Sequence, residues 1–182
     1  IQPAQIEKQA RWTLAVNRWI EENGCDASAI QCWRSLQDNF GCATCLTMSM
    51  MGEDLMPSAR EVDIMGALSM YALALASGAP PAILDWNNNY GDDPNKAVCF
   101  HCSNLPRDFF EAPVMDYQEI IAGTVGRENT YGTIVGKVKA GAMSFARFST
   151  DDRTGAIRGY VGEGRFTKDK LSISGLAITS AT

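Results

Sequence analysis

The stretch MPSAREVDIMGALSMYALALASGAPPAILDW (56–86) decides the fold class of this 182-residue chain. Ser58 and Glu61 have the spacing of a capping box, in which each side chain bonds the backbone amide of the other residue. A long apolar run follows them and stops at Gly78, a residue type that commonly ends helices. The stretch therefore predicts a helix over 56–78.

Two apolar segments after this helix have the length and composition of buried strands. PAILDW (81–86) follows two prolines, and KAVCFHC (96–102) follows a polar, Asn-rich turn. Earlier in the chain, the pattern predicts an amphipathic helix over 5–23, a short strand over 29–33 and a buried apolar helix over 40–51. Because helix and strand alternate, we expect an α/β fold with a largely parallel sheet.

The composition changes near Leu105, after which lie ten of the 16 glycines and ten of the 16 Lys and Arg residues. Short β-like runs separated by turn signals predict antiparallel β in a small barrel or sandwich. We therefore expect residues 1–105 to be part of an α/β domain and residues 106–182 to be an antiparallel β domain. Arg147 and Arg158 alternate with apolar neighbours, so both are expected on the solvated face. The runs are EIIAGTV (119–125), YGTIVGKV (131–138), AMSFARFS (142–149), AIRGYVG (156–162) and LSISGLAI (171–178).

The composition excludes several classes of function. With 16 Lys and Arg against 21 Asp and Glu the net charge is −5, so neither nucleic acid nor an anionic membrane surface is an expected partner. No apolar run reaches the roughly 18 residues of a transmembrane helix. The six cysteines are expected to be reduced thiols, as in a cytoplasmic protein. Since His101 is the single histidine, this chain alone cannot build a multi-histidine metal site.

Three polar residues are expected to meet at one edge of the predicted sheet. Glu61 opens the predicted helix, Asp85 ends one predicted strand, and His101 ends the next. Two carboxylates and an imidazole favour Mn²⁺ or Mg²⁺, and one carboxylate could act as a general base. Trp86 could stack on the C–H face of a sugar. The simpler explanations are a capping residue for Glu61, a turn former for Asp85 and core packing for Trp86.

The cysteines offer an alternative metal site. Cys42 and Cys45 form one CxxC pair, and Cys99 and Cys102 form another, as in structural Cys₄ zinc sites. However, 53 residues separate the two pairs, far more than the roughly 15–20 residues typical of zinc ribbons. A structural zinc protein is therefore the weaker hypothesis.

Five motifs, in this order along the chain, resemble the L-fucose/L-arabinose isomerase family of sugar isomerases. The resemblance implies metal-dependent interconversion of an aldose and a ketose, with a sugar as substrate and Mn²⁺, or another hard cation such as Mg²⁺, as cofactor. It also implies the end of a middle α/β domain followed by a small C-terminal β-barrel, in a homo-oligomer of three or six subunits. The motifs are REVDIMGALSMYAL (60–73), PAILDWNNN (81–89), CFHCSNLP (99–106), GKVKAGAMSFARFS (136–149) and AIRGYVGEGRF (156–166).

The same resemblance implies roles for individual residues. Glu61 corresponds to the family's catalytic glutamate, which is also a metal ligand. Asp85 corresponds to the second carboxylate ligand, which also takes part in proton transfer. His101 matches a histidine found at the metal in the arabinose-isomerase branch. Trp86 and Asn87 directly follow Asp85 in its motif and are expected to contact the substrate.

The chain departs from the family pattern in two respects. The family has a further metal-ligand histidine near its C-terminus, but no histidine follows His101 here. The family also begins with N-terminal α/β domains, and none precedes Ile1. We therefore expect this chain to be a portion of a longer isomerase with an incomplete metal site. A sugar-binding or regulatory module without catalysis is the alternative hypothesis.

Overall fold

The computed structural model describes residues 1–102, 104–171 and 177–181, the last of these for the backbone only. The helices are α1 (Pro3–Asn23), α2 (Ser35–Phe40), α3 (Cys45–Glu53), α4 (Ile64–Ser77) and α5 (Glu119–Val125), with 3-10 turns at Arg107–Phe109 and Arg127–Asn129. The strands are β1 (Ser28–Ile30), β2 (Ser58–Arg60), β3 (Asp85–Tyr90), β4 (Asp93–His101), β5 (Val114–Tyr117), β6 (Tyr131–Lys137), β7 (Gly141–Asp151), β8 (Ala156–Phe166) and β9 (Ala177–Ala181).

The first helix confirms the amphipathic pattern predicted over 5–23. Its apolar stripe buries Val16 and Ile20 against Met51 of α3. Gly24 ends the helix with a φ of 58°, a left-handed conformation that glycine adopts at little cost. None of the helices in the described part of the chain is long and apolar enough to cross a membrane.

The second predicted helix begins later than expected. Ser58 does not cap it but lies fully buried in β2, which pairs in parallel with β1. Helix α4 starts at Ile64, and its N-cap is Asp63, whose side chain accepts a hydrogen bond from the Gly66 amide at 2.8 Å. The predicted capping box is therefore wrong, because the residues before the helix pair as a strand and Glu61 falls in the turn between the two elements. The glycine predicted to end the helix does so.

Strands β3 and β4 form an antiparallel hairpin rather than members of a parallel sheet. The chain reverses at Gly91, whose φ of 57° suits a two-residue turn, and Tyr90 pairs with Asp93. Asp85 consequently opens a strand instead of ending one. The Asn-rich segment expected to be a turn supplies most of β3. The prediction of an extended parallel sheet is therefore wrong for the described residues of this region. The parallel pairing found there is the short pair of strands β1 and β2.

A larger sheet joins elements from both parts of the chain. Its strands follow the order β3-β4-β9-β6-β5, and β8 pairs with both β7 and β9. Because β4 pairs with β9, the sheet connects residues on either side of the expected boundary at 105/106. The expected antiparallel β-structure is present, but among the described residues these strands do not close into a barrel.

One predicted strand of the second part is a helix. The run EIIAGTV (119–125) forms helix α5. A short apolar run is compatible with either a helix or a strand, so the pattern alone could not distinguish the two. Gly126, with a φ of 84°, ends this helix. The runs predicted over 131–138, 142–149 and 156–162 are confirmed as β6, β7 and β8. Most of LSISGLAI (171–178) lies outside the described residues, and its last two residues begin β9.

Buried apolar side chains form small, separate clusters. One of them holds Leu105, Phe110, Ile134 and Val138 between the end of β4 and strand β6. Burying side chains of this size contributes roughly 1.5–3 kcal/mol each. A second cluster packs Ala59 of β2 against α4, which fixes the start of that helix beside the strand.

Candidate functional site

The turn between β2 and α4 holds Glu61 in an unusual backbone conformation. Glu61 has a φ of 60° and Val62 a φ of 57°, in the left-handed region that residues other than glycine rarely adopt. For a β-branched residue such as Val62 this conformation is a true outlier, and such outliers cost about 1–3 kcal/mol each. Both side chains are exposed. The turn therefore presents the Glu61 carboxylate at the surface, directly after a buried strand.

Asp85, at the start of β3, lies close enough to Glu61 for the two carboxylates to interact. Although Asp85 is exposed overall, partial burial of its carboxylate raises its pKa. The Glu61 and Asp63 carboxylates raise this pKa further, and the positive charges of Arg147 and Arg60 oppose them. The structure thus brings together the two carboxylates that the sequence analysis singled out.

His101 is buried rather than at the surface. It ends β4, is only 4% exposed, and its Nδ1 has no hydrogen-bond partner. Burial lowers the pKa of His101 to about 3, the Arg60 charge lowers it as well, and Asp63 opposes both. The imidazole is therefore neutral at neutral pH, the form that binds metal ions.

Arg60 places a buried positive charge beside Glu61. Its side chain is 1% exposed and donates through Nη1 to the backbone carbonyl of Cys102, the residue after His101. This bond ties the turn that carries Glu61 to the end of β4. The thiols of Cys32, Cys45 and Cys102 interact with the guanidinium charge, whereas its Nε and Nη2 have no hydrogen-bond partner.

Strand β3 presents the two residues expected to contact a substrate. Trp86 is 60% exposed, so core packing does not explain it. Asn87 is also exposed and lies at a register shift, because Trp86 pairs with Cys99 and Asn88 pairs with Val98. Irregularities of this kind occur often next to active sites, where they redirect a side chain.

The β7–β8 hairpin adds residues that the sequence analysis did not place at the site. Phe145 packs edge-on against Trp86 with ring centroids 5.4 Å apart, and it contacts Tyr160 at 6.2 Å. Arg147 makes an ion pair with Asp63, so its expected place on the solvated face is wrong. Strand alternation alone gave no signal for this, since the partner of Arg147 lies 84 residues away. Arg158 is exposed, as predicted.

The described residues do not by themselves assemble a complete metal centre. In that part of the chain, no group of three or more His, Cys, Asp or Glu side chains is placed to hold a metal ion. The six cysteines all belong to it, and all are free thiols, as predicted. The Cys₄ zinc arrangement is therefore not formed there.

Comparison with known proteins points to sugar isomerases. Residues 99–179 match the family model of the L-fucose isomerase C-terminal domain. A sulfoquinovose isomerase from Alkalicoccus urumqiensis is 37% identical over 100 residues, which cover 54% of this chain and 22% of that protein. The sulfoquinovose isomerases from Priestia aryabhattai and Priestia megaterium are each 33% identical over 98 residues, covering 53% of this chain and 22% of each relative.

These matches confirm the predicted resemblance to the fucose isomerase family of sugar isomerases. The matched region spans about a fifth of the length of these curated relatives. The family model begins at Cys99, so it includes His101 and the β7–β8 hairpin but not Glu61 or Asp85.

Proposed function

We propose that this chain supplies part of the active site of a metal-dependent aldose–ketose isomerase. The observation that carries the proposal is the pair Glu61 and Asp85, whose carboxylates interact at an exposed position. The indole of Trp86, the residue after Asp85, is exposed and offers a surface for the apolar face of a sugar. The similarity to named sugar isomerases supports this chemistry for the whole protein.

The chemistry of the donor atoms fits a hard divalent cation. Partial burial, followed by the charges of Glu61 and Asp63, raises the pKa of Asp85, and a bound cation would offset these effects. We infer that Glu61 and Asp85 would hold Mn²⁺ or Mg²⁺ together with ligands from outside the described residues, because no third His, Cys, Asp or Glu side chain of those residues, His101 included, is placed with them. Such an ion polarises a carbonyl group and stabilises negative charge that develops on oxygen.

Side chains of this chain would carry out the proton transfer and bind the sugar. One of the two carboxylates removes the proton from C2 of the open-chain aldose and, as its conjugate acid, returns a proton to C1, while the proton of the C2 hydroxyl passes to O1. Either Glu61 or Asp85 could act as this base. Trp86 would orient the sugar by stacking, and Asn87 would donate or accept hydrogen bonds at its hydroxyls.

The relatives suggest which sugars to examine. The curated relatives are named for sulfoquinovose and the family model for L-fucose, so we propose a sugar of this general kind as the substrate. We also propose, from the resemblance to the family, that the intact protein is a cytoplasmic homo-oligomer of three or six subunits.

Amide substitutions at the two carboxylates test the proposal. With Mn²⁺ present, Glu61→Gln and Asp85→Asn should each lower kcat by about 10²–10⁴-fold, because each removes a ligand and a candidate base. Isomerisation of L-fucose, L-arabinose and sulfoquinovose, and solvent-deuterium incorporation at C1 of the product, are measured in the intact protein. Asp92→Asn, an exposed carboxylate in the β3–β4 turn, is the matched control and should keep full activity. Full activity in Glu61→Gln would contradict the role given to Glu61.

A sugar-binding module without catalysis is the second candidate. The contiguous rings of Trp86, Phe145 and Tyr160 favour it, because stacking on aromatic rings needs no carboxylate. Sugar binding that persists in the double variant Glu61→Gln/Asp85→Asn, together with no isomerisation by the unaltered protein, would support this alternative.

A further inference from the structure

The left-handed turn at Glu61 and Val62 needs neighbours that hold it in place. Two consecutive residues with positive φ, one of them β-branched, are unfavourable by themselves and persist only where the surrounding structure fixes them. Within the turn, the Asp63 amide donates to the Arg60 carbonyl at 2.9 Å, which closes the loop. The Ile64 amide also donates to the Val62 carbonyl at 2.9 Å, Arg60 ties the turn to Cys102, and the side chain of Asp63 adds further support.

Asp63 connects the turn to two other elements. Its Oδ1 accepts a hydrogen bond from the Gly66 amide at 2.8 Å, which caps α4. Both of its oxygens also accept hydrogen bonds from Arg147 of β7, at 2.5 Å from Nη1 and 3.0 Å from Nη2. Burial opposes ionisation of Asp63, but the bonds from Arg147 and Gly66 outweigh it, so the pKa of Asp63 is lowered.

Arg147 contacts Asp63 of the turn, and its strand β7 also contacts β3 through Phe145 and Trp86. Its strongest partner is Asp63, and the charge of Asp85 also acts on it. Its side chain is 35% exposed, against 72% for Arg158 of the neighbouring strand, so the protein surrounds it much more closely. A second contact fixes the same strand, since the Phe148 amide donates to Ser69 Oγ of α4 at 2.8 Å.

We propose that Arg147 is a positioning residue that holds the turn carrying Glu61 in place through its two-bond pair with Asp63. The inference rests on the proposed function, because it assigns to the β7–β8 hairpin the task of setting the spacing of the two carboxylates for a divalent cation. The planar guanidinium meets both oxygens of Asp63 at once, which a lysine ammonium cannot do.

The test compares Arg147→Lys with Arg158→Lys, which alters the exposed pair between Arg158 and Asp151 on the same hairpin. Mn²⁺ affinity is measured by titration of the intact protein, with free Mn²⁺ followed by electron paramagnetic resonance. Arg147→Lys should weaken Mn²⁺ binding at least about ten-fold, the range for residues that hold metal ligands in place. Arg158→Lys should leave it unchanged. Asp63→Asn keeps a good helix cap but loses the ion pair, so it should behave like Arg147→Lys.

A measurement without metal separates this inference from the proposed function. Amide hydrogen exchange over residues 60–63 should become faster in metal-free Arg147→Lys and stay unchanged in Arg158→Lys. Equal exchange in the two variants, or unchanged Mn²⁺ affinity in Arg147→Lys, would overturn the positioning role. If the unaltered protein binds no Mn²⁺ but exchange at the turn depends on Arg147, the proposed cofactor is wrong and the positioning of the turn stands.

Discussion

At the scale of single residues, Arg60 and His101 are two buried polar side chains close enough for the charge of one to act on the other. Arg60 is 1% and His101 4% exposed, and both retain nitrogen atoms without hydrogen-bond partners. Unsatisfied polar groups of this kind usually destabilise a fold. The positive charge of Arg60 lies near Asp85 and disfavours a second positive charge on His101. Burial and the nearby Arg60 charge therefore favour a neutral imidazole on His101.

The buried imidazole predicts how stability depends on pH. The folded state lowers the pKa of His101 to about 3, whereas an unfolded chain has the ordinary value near 6.5. Between these values the unfolded state binds more protons, so stability rises with pH over this window and is lost as pH falls. The slope due to His101 should approach about 1.4 kcal/mol per pH unit.

Urea unfolding of the metal-free protein at several pH values between 4 and 7 measures this dependence. Carboxylates titrate over part of the same range, so the unaltered protein is compared with His101→Gln, which retains the carboxylates and removes the imidazole. The difference between their slopes isolates the histidine. Identical slopes would show that His101 ionises as easily in the folded protein as in the unfolded chain.

At the scale of elements, the β7–β8 hairpin is the part of the second region that reaches the site. Its strands pair over their full length, from Gly141 with Phe166 to Asp151 with Ala156. The hairpin contacts the site at two places, through the ion pair of Arg147 with the α4 N-cap and through the ring contact between Phe145 and Trp86. The hairpin therefore orders both the carboxylate turn and the aromatic surface.

A glycine in β8 makes this packing testable. A Cβ at Gly162 would lie 2.5 Å from Cζ of Phe145, so Gly162→Ala should displace that ring and loosen Trp86. We expect lower thermal stability and a changed tryptophan emission spectrum. Gly141→Ala, where a Cβ meets nothing within 4 Å, is the matched control and should change neither. An unchanged spectrum in Gly162→Ala would contradict the ring contact.

At the scale of the whole molecule, the site depends on segments far apart in the chain. Glu61 follows β2, Asp85 opens β3, and the hairpin that holds them begins at Gly141. Strand β9 pairs with β4, so the far end of the described chain supports the strand that ends in His101. A ligand that binds across these segments should therefore stabilise the whole fold.

Metal binding should accordingly raise the melting temperature. At a Mn²⁺ concentration one hundred times its dissociation constant, the folded state gains about 2.7 kcal/mol, because the ion binds the assembled site and not the unfolded chain. Calorimetry of the intact protein after EDTA treatment, with and without added Mn²⁺, measures the shift. The double variant Glu61→Gln/Asp85→Asn should show no shift. Stabilisation by zinc alone, with bound zinc near one per chain, would instead favour the cysteine site.

Part of the fold and of the candidate site could be predicted from local patterns. The amphipathic stripe located α1, the apolar runs located β4, β6, β7 and β8, and the terminal glycine located the end of α4. The start of α4 could not be found this way, because Ser58 fits a capping box until its parallel pairing with β1 is known. The hairpin at Gly91 was missed for a similar reason, since an Asn-rich segment favours a turn unless a partner strand lies beside it.

The sequence by itself determined the residue types available for chemistry: two carboxylates in ordered motifs, one histidine and a tryptophan beside an aspartate. Periodicity and turn residues act locally, so they also determined most of the elements. Only the tertiary structure decided that the charges of Glu61 and Asp85 interact, that His101 and Arg60 are both buried, and that Arg147 pairs with Asp63. These contacts join residues tens of positions apart, and no local pattern carries that information because it arises from packing.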